Sequence, residues 1–201
     1  MRSVLGRPLT RPLTRRLALP AILLATSLVL TACGGETPGT SDQAYVSGDG
    51  VIEQVAMPDR EELPPITGDL LAGGRYDSRN RAGEVVVYNV WGSWCAPCRE
   101  EAPVLRRVWN ETRDKGVQFI GINVKDNDAS ARAFERRYQI TYPSITTADS
   151  AAALLAFGNK LPASAVPSTM VVDRTGRTAA RVIGPTTYGT LSSLVEQTLD
   201  E

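Results

Sequence analysis

Short hydrophobic runs alternate with amphipathic stretches from about residue 51 to the end of the chain. Runs rich in β-branched residues predict strands, and apolar residues repeated every three or four positions predict helices. The predicted strands cover residues 51–55, 66–70, 75–77, 85–90, 117–124, 168–173 and 178–183. The predicted helices cover residues 95–115, 129–138, 151–157 and 187–200.

The order of these elements predicts the fold class. The strands at 66–70 and 75–77 flank Gly73-Gly74 and predict an N-terminal β-hairpin. The nearly continuous apolar run at 85–90 is typical of a central parallel strand that is buried on both faces. The later strands at 168–173 and 178–183 predict an antiparallel pair. We therefore expect an α/β domain with a mixed central sheet and helices on both faces.

The N-terminal segment predicts a signal for export. Residues 1–32 contain five arginines and no acidic residue, and residues 17–30 form an apolar run of 14 residues. A helix of that length spans about 21 Å, which is short of the roughly 30 Å bilayer core. A basic head followed by a short apolar run is typical of a secretory signal peptide. The alternative is a short membrane anchor that is never cleaved.

The end of this segment reads Leu30-Thr31-Ala32-Cys33-Gly34 and resembles the bacterial lipobox. The resemblance implies that Cys33 is lipidated and becomes the first residue of a mature, extracytoplasmic protein anchored in the cell membrane. The alternative is a secreted protein with an incidental cysteine. Arg15-Arg16 leaves open whether export follows the general secretory or the twin-arginine route. We expect a flexible tether over residues 33–50 and one folded domain over residues 51–201.

Charge and composition exclude several classes of function. Basic and acidic residues number 22 each, so no overall basic excess suggests a nucleic-acid partner. After residue 32 the balance is 17 basic to 22 acidic, a net formal charge of −5. The chain contains no histidine, which excludes imidazole-based catalysis and histidine-ligated metal sites.

The segment Trp94-Cys95-Ala96-Pro97-Cys98 carries the candidate chemistry. It follows a predicted buried strand and begins a predicted helix, whose N-terminus favours a thiolate at Cys95. Helical spacing places Cys98 within reach of the Cys95 sulfur. This pattern predicts thiol–disulfide exchange, in which Cys95, at the exposed helix start, attacks and Cys98 resolves the mixed disulfide.

The cysteine pair has two other interpretations. A purely structural disulfide would close a loop of about four residues and contribute only about 2 kcal/mol. A zinc site needs four ligands, which a chain without histidine and without a second cysteine pair does not supply in the usual way. We therefore expect redox exchange and no metal.

The segment from Asn89 to Pro103, NVWGSWCAPCREEAP, resembles the active-site segment of the thioredoxin superfamily, and within it the membrane-anchored TlpA/ResA-like thiol–disulfide oxidoreductases. The likeness continues through 121–126, 134–138 and 166–176. It implies a thioredoxin fold with a helix–strand insert, for which residues 126–146 are suited. It also implies no cofactor, and we expect a monomer.

The resemblance further implies site residues. Val166-Pro167 falls where the family has a cis-proline loop that faces the disulfide and binds substrate. Trp94 is expected to shield the disulfide and to contact substrate. Asn89 stands where thioredoxin itself has a buried aspartate.

Glu101 stands where the ResA group carries a buried carboxylate that tunes the thiols and relays their protons. Its neighbour Glu100 could take that place instead, since only one of the two can face the cysteines. We expect Glu101 to be the buried one, because it lies three residues after Cys98.

The implied activity is reduction of protein disulfides outside the cytoplasm. ResA-type proteins keep the haem-attachment cysteines of apocytochrome c reduced and draw electrons from a membrane thiol reductant. The alternatives are a general disulfide reductase or oxidase with other substrates, and a non-enzymatic binding module on the same fold. A peroxidase is a third possibility, but we find no peroxide-activating motif around a single cysteine.

Overall fold

The computed structural model describes residues 45–47, 50–162 and 164–201, which form nine strands and four α-helices. The strands are β1 (Tyr45–Ser47), β2 (Gly50–Gln54), β3 (Thr67–Asp69), β4 (Arg75–Asp77), β5 (Val85–Trp91), β6 (Val117–Asn123), β7 (Ser144–Ile145), β8 (Ser168–Val172) and β9 (Thr178–Ile183). The helices are α1 (Ala96–Thr112), α2 (Asp128–Tyr138), α3 (Thr147–Leu155) and α4 (Tyr188–Leu199). Every predicted strand and helix is present.

Seven of these strands form one mixed sheet in the order β1-β2-β9-β8-β5-β6-β7. Strands β5, β6 and β7 are parallel, whereas β8, β9, β2 and β1 add antiparallel pairs on the other side of β5. All seven residues of β5 are buried, which accounts for its continuous apolar run. The mixed sheet and the central position of β5 are as predicted.

Alternate residues of β5 face two separate cores. Val86, Tyr88 and Val90 pack in a core that includes Phe157, which follows α3. Val85 and Val87 pack in the core that α1 and α4 complete from the other face of the sheet. Helices therefore cover both faces, as predicted.

The predicted hairpin and insert meet at one edge of the sheet. Strands β3 and β4 pair as an antiparallel hairpin. Helix α2 and strand β7 form the helix–strand insert, and β7 pairs parallel with β6. Leu70, after β3, bridges Ile145, and the N–H of Leu71 donates to the carbonyl oxygen of Ser144 at 2.9 Å. The hairpin thus covers an edge strand that would otherwise be open.

Two predicted boundaries are wrong. Helix α3 begins at Thr147 rather than at residue 151, because its polar first turn forms tertiary contacts that an apolar pattern does not reveal. Asp149 in that turn accepts a hydrogen bond from the N–H of Asp69 at 2.6 Å. The tether predicted over 33–50 also extends too far, since Tyr45–Ser47 pairs with β2 through its backbone.

The predicted signal peptide and Cys33 lie outside the described residues. No helix in the described part of the chain is long and apolar enough to cross a membrane.

Candidate active site

The turn between β5 and α1 presents the two cysteines at the carboxyl end of the central strand. Cys95 and Cys98 form a disulfide, with their Cα atoms 5.3 Å apart. Cys95 is the N-cap residue of α1, and its Sγ accepts a hydrogen bond from the N–H of Cys98 at 3.2 Å. Pro97 occupies the first helical turn, where no backbone donor is needed. The helix N-terminus therefore favours negative charge on Cys95 once the disulfide opens.

The loop before β8 forms the opposite wall of the site. The Val166–Pro167 peptide bond is cis, and the carbonyl oxygen of Val166 lies 3.8 Å from Cys95 Sγ. The carbonyl oxygen of Pro167 accepts a hydrogen bond from the N–H of Gly184 at 3.0 Å. This loop is therefore tied to the turn after β9 and lies directly beside Cys95.

Exposure does not separate the two cysteines. Cys95 is 3% exposed and Cys98 is 2% exposed, so the expectation that Cys95 lies exposed is wrong for the disulfide form. Cys95 is covered because it packs with Trp91, Ala102 and Phe134 and faces the Val166 carbonyl. The position on the helix still distinguishes them, since Cys95 is the N-cap and Cys98 lies within the first turn.

Glu101 lies buried one helical turn beyond Cys98, whereas Glu100 is exposed. Glu101 is 2% exposed. Its Oε1 accepts a hydrogen bond from the N–H of Thr186 at 3.1 Å, and its Oε2 accepts one from Asn89 Nδ2 at 3.3 Å. Burial raises the pKa of Glu101 from 4.5 to about 7, although these two hydrogen bonds act in the opposite direction. A carboxyl group with that pKa can hold or release a proton near neutral pH.

Asn89 connects this carboxyl group to the rest of the site. It lies on β5, is buried, and also donates from Nδ2 to Thr169 Oγ1 at 3.2 Å. Thr186, the other partner of Glu101, is in the same turn as Gly184, which bonds to Pro167. Glu101 on α1 is therefore linked through Asn89 to β8, and through Thr186 to the turn that holds the cis-proline loop.

The two tryptophans of the motif lie in different surroundings. Trp91 stacks on Phe134 with ring centroids 4.5 Å apart and packs in the same cluster as the cysteines. Trp94 is 48% exposed, and its Nε1 donates to the carbonyl oxygen of Val124 at 3.1 Å. Its indole lies over Gly92, where a Cβ atom would come within 2.5 Å of Nε1. Trp94 is therefore held at the surface beside the site.

Asp126 positions the segment before Cys95, a role that sequence reasoning missed. Its Oδ2 accepts from the N–H of Ser93 at 2.7 Å and from Asn123 Nδ2 at 3.2 Å. Its Oδ1 accepts from Ser93 Oγ and from the N–H of Asn127, both at 2.9 Å. Burial acts to raise the pKa of Asp126, but these hydrogen bonds together hold it below the ordinary value.

One signal could have identified Asp126. It follows β6, the parallel neighbour of β5, so both strands deliver their following residues to the same edge of the sheet.

The structure brings together all the predicted site residues except Cys33, which lies outside the described part of the chain. The result is a disulfide at a helix N-terminus, a facing cis-proline loop and a buried carboxyl group one turn further along. These are the parts needed for exchange through a mixed disulfide with a nearby proton acceptor. Within the described residues, no group of three or more acidic or cysteine side chains is placed to hold a metal ion.

Comparison with known proteins extends the likeness beyond the cysteine motif. The sequence profile of the Redoxin family matches residues 58–197. Thiol-disulfide oxidoreductase ResA of Bacillus cereus is 23% identical over 175 residues, which are 87% of this chain and 95% of the relative. Thiol:disulfide interchange protein HelX of Rhodobacter capsulatus is 32% identical over 127 residues, 61% of this chain and 65% of the relative.

A solved structure agrees with these sequence matches. The secreted thiol-disulfide isomerase of Corynebacterium glutamicum superposes with a TM-score of 0.69 at 32% identity. The alignment covers 78% of this chain and 97% of that protein. Together with the strand order, this similarity confirms the thioredoxin fold.

Proposed function

The chain belongs to the redoxin family of thiol–disulfide oxidoreductases, and from that premise we propose that it reduces protein disulfides outside the cytoplasm, with the haem-attachment cysteines of apocytochrome c as its substrate. The observation that carries the proposal is the Cys95–Cys98 disulfide at the N-terminus of α1, beside the cis-proline loop. Similarity to ResA and HelX supports the choice of substrate.

The residues between the cysteines favour reduction over oxidation. Ala96 and Pro97 provide no side-chain charge or hydrogen bond to a thiolate, and the chain has no histidine. A thiolate with less stabilisation gives the pair a lower reduction potential, because a stable thiolate is what makes a disulfide strongly oxidising. The buried Glu101 acts in the same direction, since its negative charge opposes a second charge nearby.

The reaction consists of two exchanges of sulfur partners. In the reduced protein, the Cys95 thiolate attacks one sulfur of the substrate disulfide, and the other substrate sulfur leaves as a thiolate and takes up a proton. Cys98 then loses its proton and attacks Cys95 Sγ, which releases the second substrate sulfur. Two electrons pass to the substrate and the Cys95–Cys98 disulfide forms again. A membrane thiol reductant returns two electrons to the pair.

Glu101 is the group proposed to accept the Cys98 proton. It lies on the same face of α1 as Cys98, one turn away, and it is shielded from water. A pKa of about 7 allows it to take a proton from a thiol and return it within the working range of the protein.

Location follows from the N-terminal sequence. We propose that the signal peptide directs export and that Cys33 carries the lipid anchor, so that the domain acts at the outer face of the cell membrane. The related protein from Corynebacterium glutamicum is described as secreted, which supports an extracytoplasmic site.

The proposal is tested by trapping substrates in cells with a Cys98→Ser variant. Without Cys98 the mixed disulfide at Cys95 is not resolved, so bound partners remain attached and can be identified after non-reducing separation. We expect apocytochrome c among them, attached through a haem-attachment cysteine.

A Cys95→Ser variant is the matched control and should trap no partner at that site. Trapping by Cys95→Ser instead of Cys98→Ser would reverse the assigned roles. Capture of other proteins without apocytochrome c would contradict the proposed substrate but not the proposed exchange of disulfides.

A further inference from the structure

Four arginines on the neighbouring helices α1 and α2 form no ion pair with any residue that the structure describes. They are Arg99 and Arg106 on α1, and Arg136 and Arg137 on α2. The two other arginines of these helices each pair with an acidic residue four positions away. We call the four residues without an ion pair the arginine surface. The reaction steps given above use none of them.

Hydrogen bonds join the two halves of the arginine surface. Arg106 donates from Nη1 to Oε1 of Gln139, which is the C-cap residue of α2. The N–H of Gln139 donates in turn to the carbonyl oxygen of Arg136 at 3.4 Å. Arg99 and Arg106 are seven residues apart, which is about two helical turns, so they lie on the same side of α1. The arginine surface therefore covers adjoining sides of the two helices.

The arginine surface begins beside the disulfide. Arg99 directly follows Cys98 and is exposed, and its Nη2 donates to the carbonyl oxygen of Trp94 at 2.9 Å. On the other helix, Ala131 and Phe134 pack in the cluster that contains both cysteines. A partner that covers the arginine surface therefore lies close to the redox pair.

The positive charge of this region contrasts with the rest of the chain. After residue 32 the chain has a net formal charge of −5. Helices α1 and α2 instead carry six arginines against four acidic residues besides the buried Glu101, a surplus of two positive charges. An anionic partner is therefore attracted to this side of the domain and repelled by the domain as a whole.

The chain that precedes β1 sets the distance between the domain and a lipid at Cys33. Eleven residues separate Cys33 from Tyr45, the first residue of β1. As the flexible tether that the sequence predicts, they span about 18 Å on average. A lipid at Cys33 would thus hold the domain close to the headgroups, where the Debye length of about 10 Å at moderate salt lets charges interact.

We propose that the arginine surface binds the anionic headgroups of the membrane to which the chain is anchored, and that this contact turns the disulfide towards the membrane. The inference rests on the proposed lipid anchor and the proposed membrane thiol reductant. Guanidinium groups bind phosphate oxygens with two parallel hydrogen bonds, and each arginine near an anionic surface favours binding by about fivefold. The anchor keeps the domain near the membrane, and the arginine surface selects the orientation in which the disulfide meets the reductant.

The test uses full-length protein that is reconstituted through its anchor into vesicles containing a quencher on the lipid headgroup. Trp94 is the probe, because it is exposed while Trp91 and Trp109 are buried. One set of vesicles is zwitterionic phosphatidylcholine, and the other also contains anionic phosphatidylglycerol. We expect stronger quenching of Trp94 in the anionic vesicles. The excess should disappear in about 0.5 M salt, which shortens the Debye length to a few Å.

Charge reversal assigns the contact to the arginine surface. In Arg136→Glu/Arg137→Glu the charge changes by four units, so the ratio of membrane-bound to unbound domain should fall by about 100-fold or more and the excess quenching should be lost. The matched control is Arg174→Glu/Arg177→Glu. These two arginines are exposed in the turn after β8, at the end of β5 away from the disulfide, and the control should keep the excess quenching.

A milder variant guards against misfolding, which urea unfolding detects. Acidic side chains in the last turn of α2 oppose the helix dipole. Arg136→Gln/Arg137→Gln introduces none, and it should lower the same ratio by about 25-fold, since two units of charge are removed.

Two results would overturn the inference. Equal quenching of the wild-type protein in both kinds of vesicle would show that the arginine surface does not bind anionic lipid. Equal loss of the excess in both charge-reversal variants would show that net charge decides the contact and this surface does not.

Flotation of the vesicles separates these results from a failure of the anchor. Protein that does not float with the zwitterionic vesicles would contradict lipidation of Cys33, and the inference would be wrong with it. If the protein floats and quenching is equal, only the inference is overturned. Retention of the wild type, but not of Arg136→Glu/Arg137→Glu, on an immobilised acidic polypeptide would then assign the arginine surface to an acidic protein partner.

Discussion

Glu100 and Glu101 are adjacent in the chain but have different surroundings. Glu100 is exposed on α1, whereas Glu101 turns into the protein, where Asn89 and Thr186 hold its carboxylate. The difference arises from helical geometry, because adjacent helical residues point about 100° apart. Only Glu101 shares a face with Cys98, so a charge effect on the thiols is expected from Glu101 alone.

Replacing Glu101 with glutamine tests this. We expect Glu101→Gln to lower the apparent pKa of the thiols, because the variant removes a buried negative charge that opposes thiolate formation. The same change should slow exchange, on the order of 10²-fold, because proton transfer through the carboxyl group is lost. Thiolate absorbance against pH and exchange rates measure the two effects, with Glu100→Gln as control. If Glu100→Gln shifts the apparent pKa of the thiols and Glu101→Gln does not, the role belongs to Glu100 and the assignment to Glu101 is wrong.

The connection between β6 and α2 supports the cysteine turn from one side. Asp126 in this connection accepts four hydrogen bonds, two of them from Ser93. An amide has only one acceptor oxygen and adds N–H donors, so it cannot replace a carboxylate that faces four donors. The segment that carries Trp94 and Cys95 therefore depends on a charged side chain from the connection that follows the neighbouring strand, β6.

The variant Asp126→Asn should accordingly destabilise the protein by about 1–2 kcal/mol, the cost of leaving partly buried donors without a partner. It should also slow thiol exchange, because the turn before Cys95 loses its support. Asp128→Asn is the control, since Asp128 is exposed and forms only a surface ion pair with Arg132, and its effect should stay within about 0.5 kcal/mol. Urea unfolding measures both. Equal stability of the two variants would mean that Asp126 is not needed to hold the turn.

Elements with a strong local pattern could be predicted from sequence, and contacts between distant segments could not. Strand β5 was predicted because all its residues are buried, and the turn with Cys95 was predicted because its motif is specific. The start of α3 at Thr147 was missed because its first turn is polar and is stabilised by tertiary hydrogen bonds. Asp126 was missed for the same reason, since its partner Ser93 is 33 residues away.

The membrane attachment proposed above concerns the chain as a whole, and the proposal rests on Cys33, which lies outside the described part. If Cys33 carries the lipid, Cys33→Ser should release the protein from membranes or block its processing, because the acyl chains supply the binding energy at about 0.8 kcal/mol per buried CH₂ group. Membrane fractionation and the mass of the mature protein measure this, with Cys95→Ser as the cysteine control. Retention on membranes at an unchanged mass would contradict lipidation of Cys33.

The pH dependence of folding stability depends on the same carboxyl group as the chemistry. The pKa of Glu101 is about 7 in the folded disulfide form and near 4.5 when the chain is unfolded. Between these values the folded protein binds more protons than the unfolded protein, so the free energy of unfolding falls as the pH rises. Asp126 and Asp173 have lowered pKa values in the folded protein. The folding stability that their ionised forms contribute is therefore lost only at more acidic pH, below this window. The nearby Tyr142 has a raised pKa and stays neutral.

We therefore expect the stability of the oxidised protein to fall by about 3 kcal/mol between about pH 4.5 and pH 7, since each pKa unit corresponds to 1.36 kcal/mol. The chain has no histidine, so no imidazole titrates in this range. Burial also raises the pKa of Glu135, so that carboxyl group adds to the fall, and the part that belongs to Glu101 is the part that Glu101→Gln removes. Urea unfolding at several pH values measures it. Glu101→Gln should have a clearly shallower profile in this range, whereas Glu100→Gln should keep the wild-type fall. Parallel profiles for the wild type and Glu101→Gln would show that Glu101 is already ionised in the folded protein at acidic pH, and its proposed role as proton acceptor near neutral pH would then be wrong.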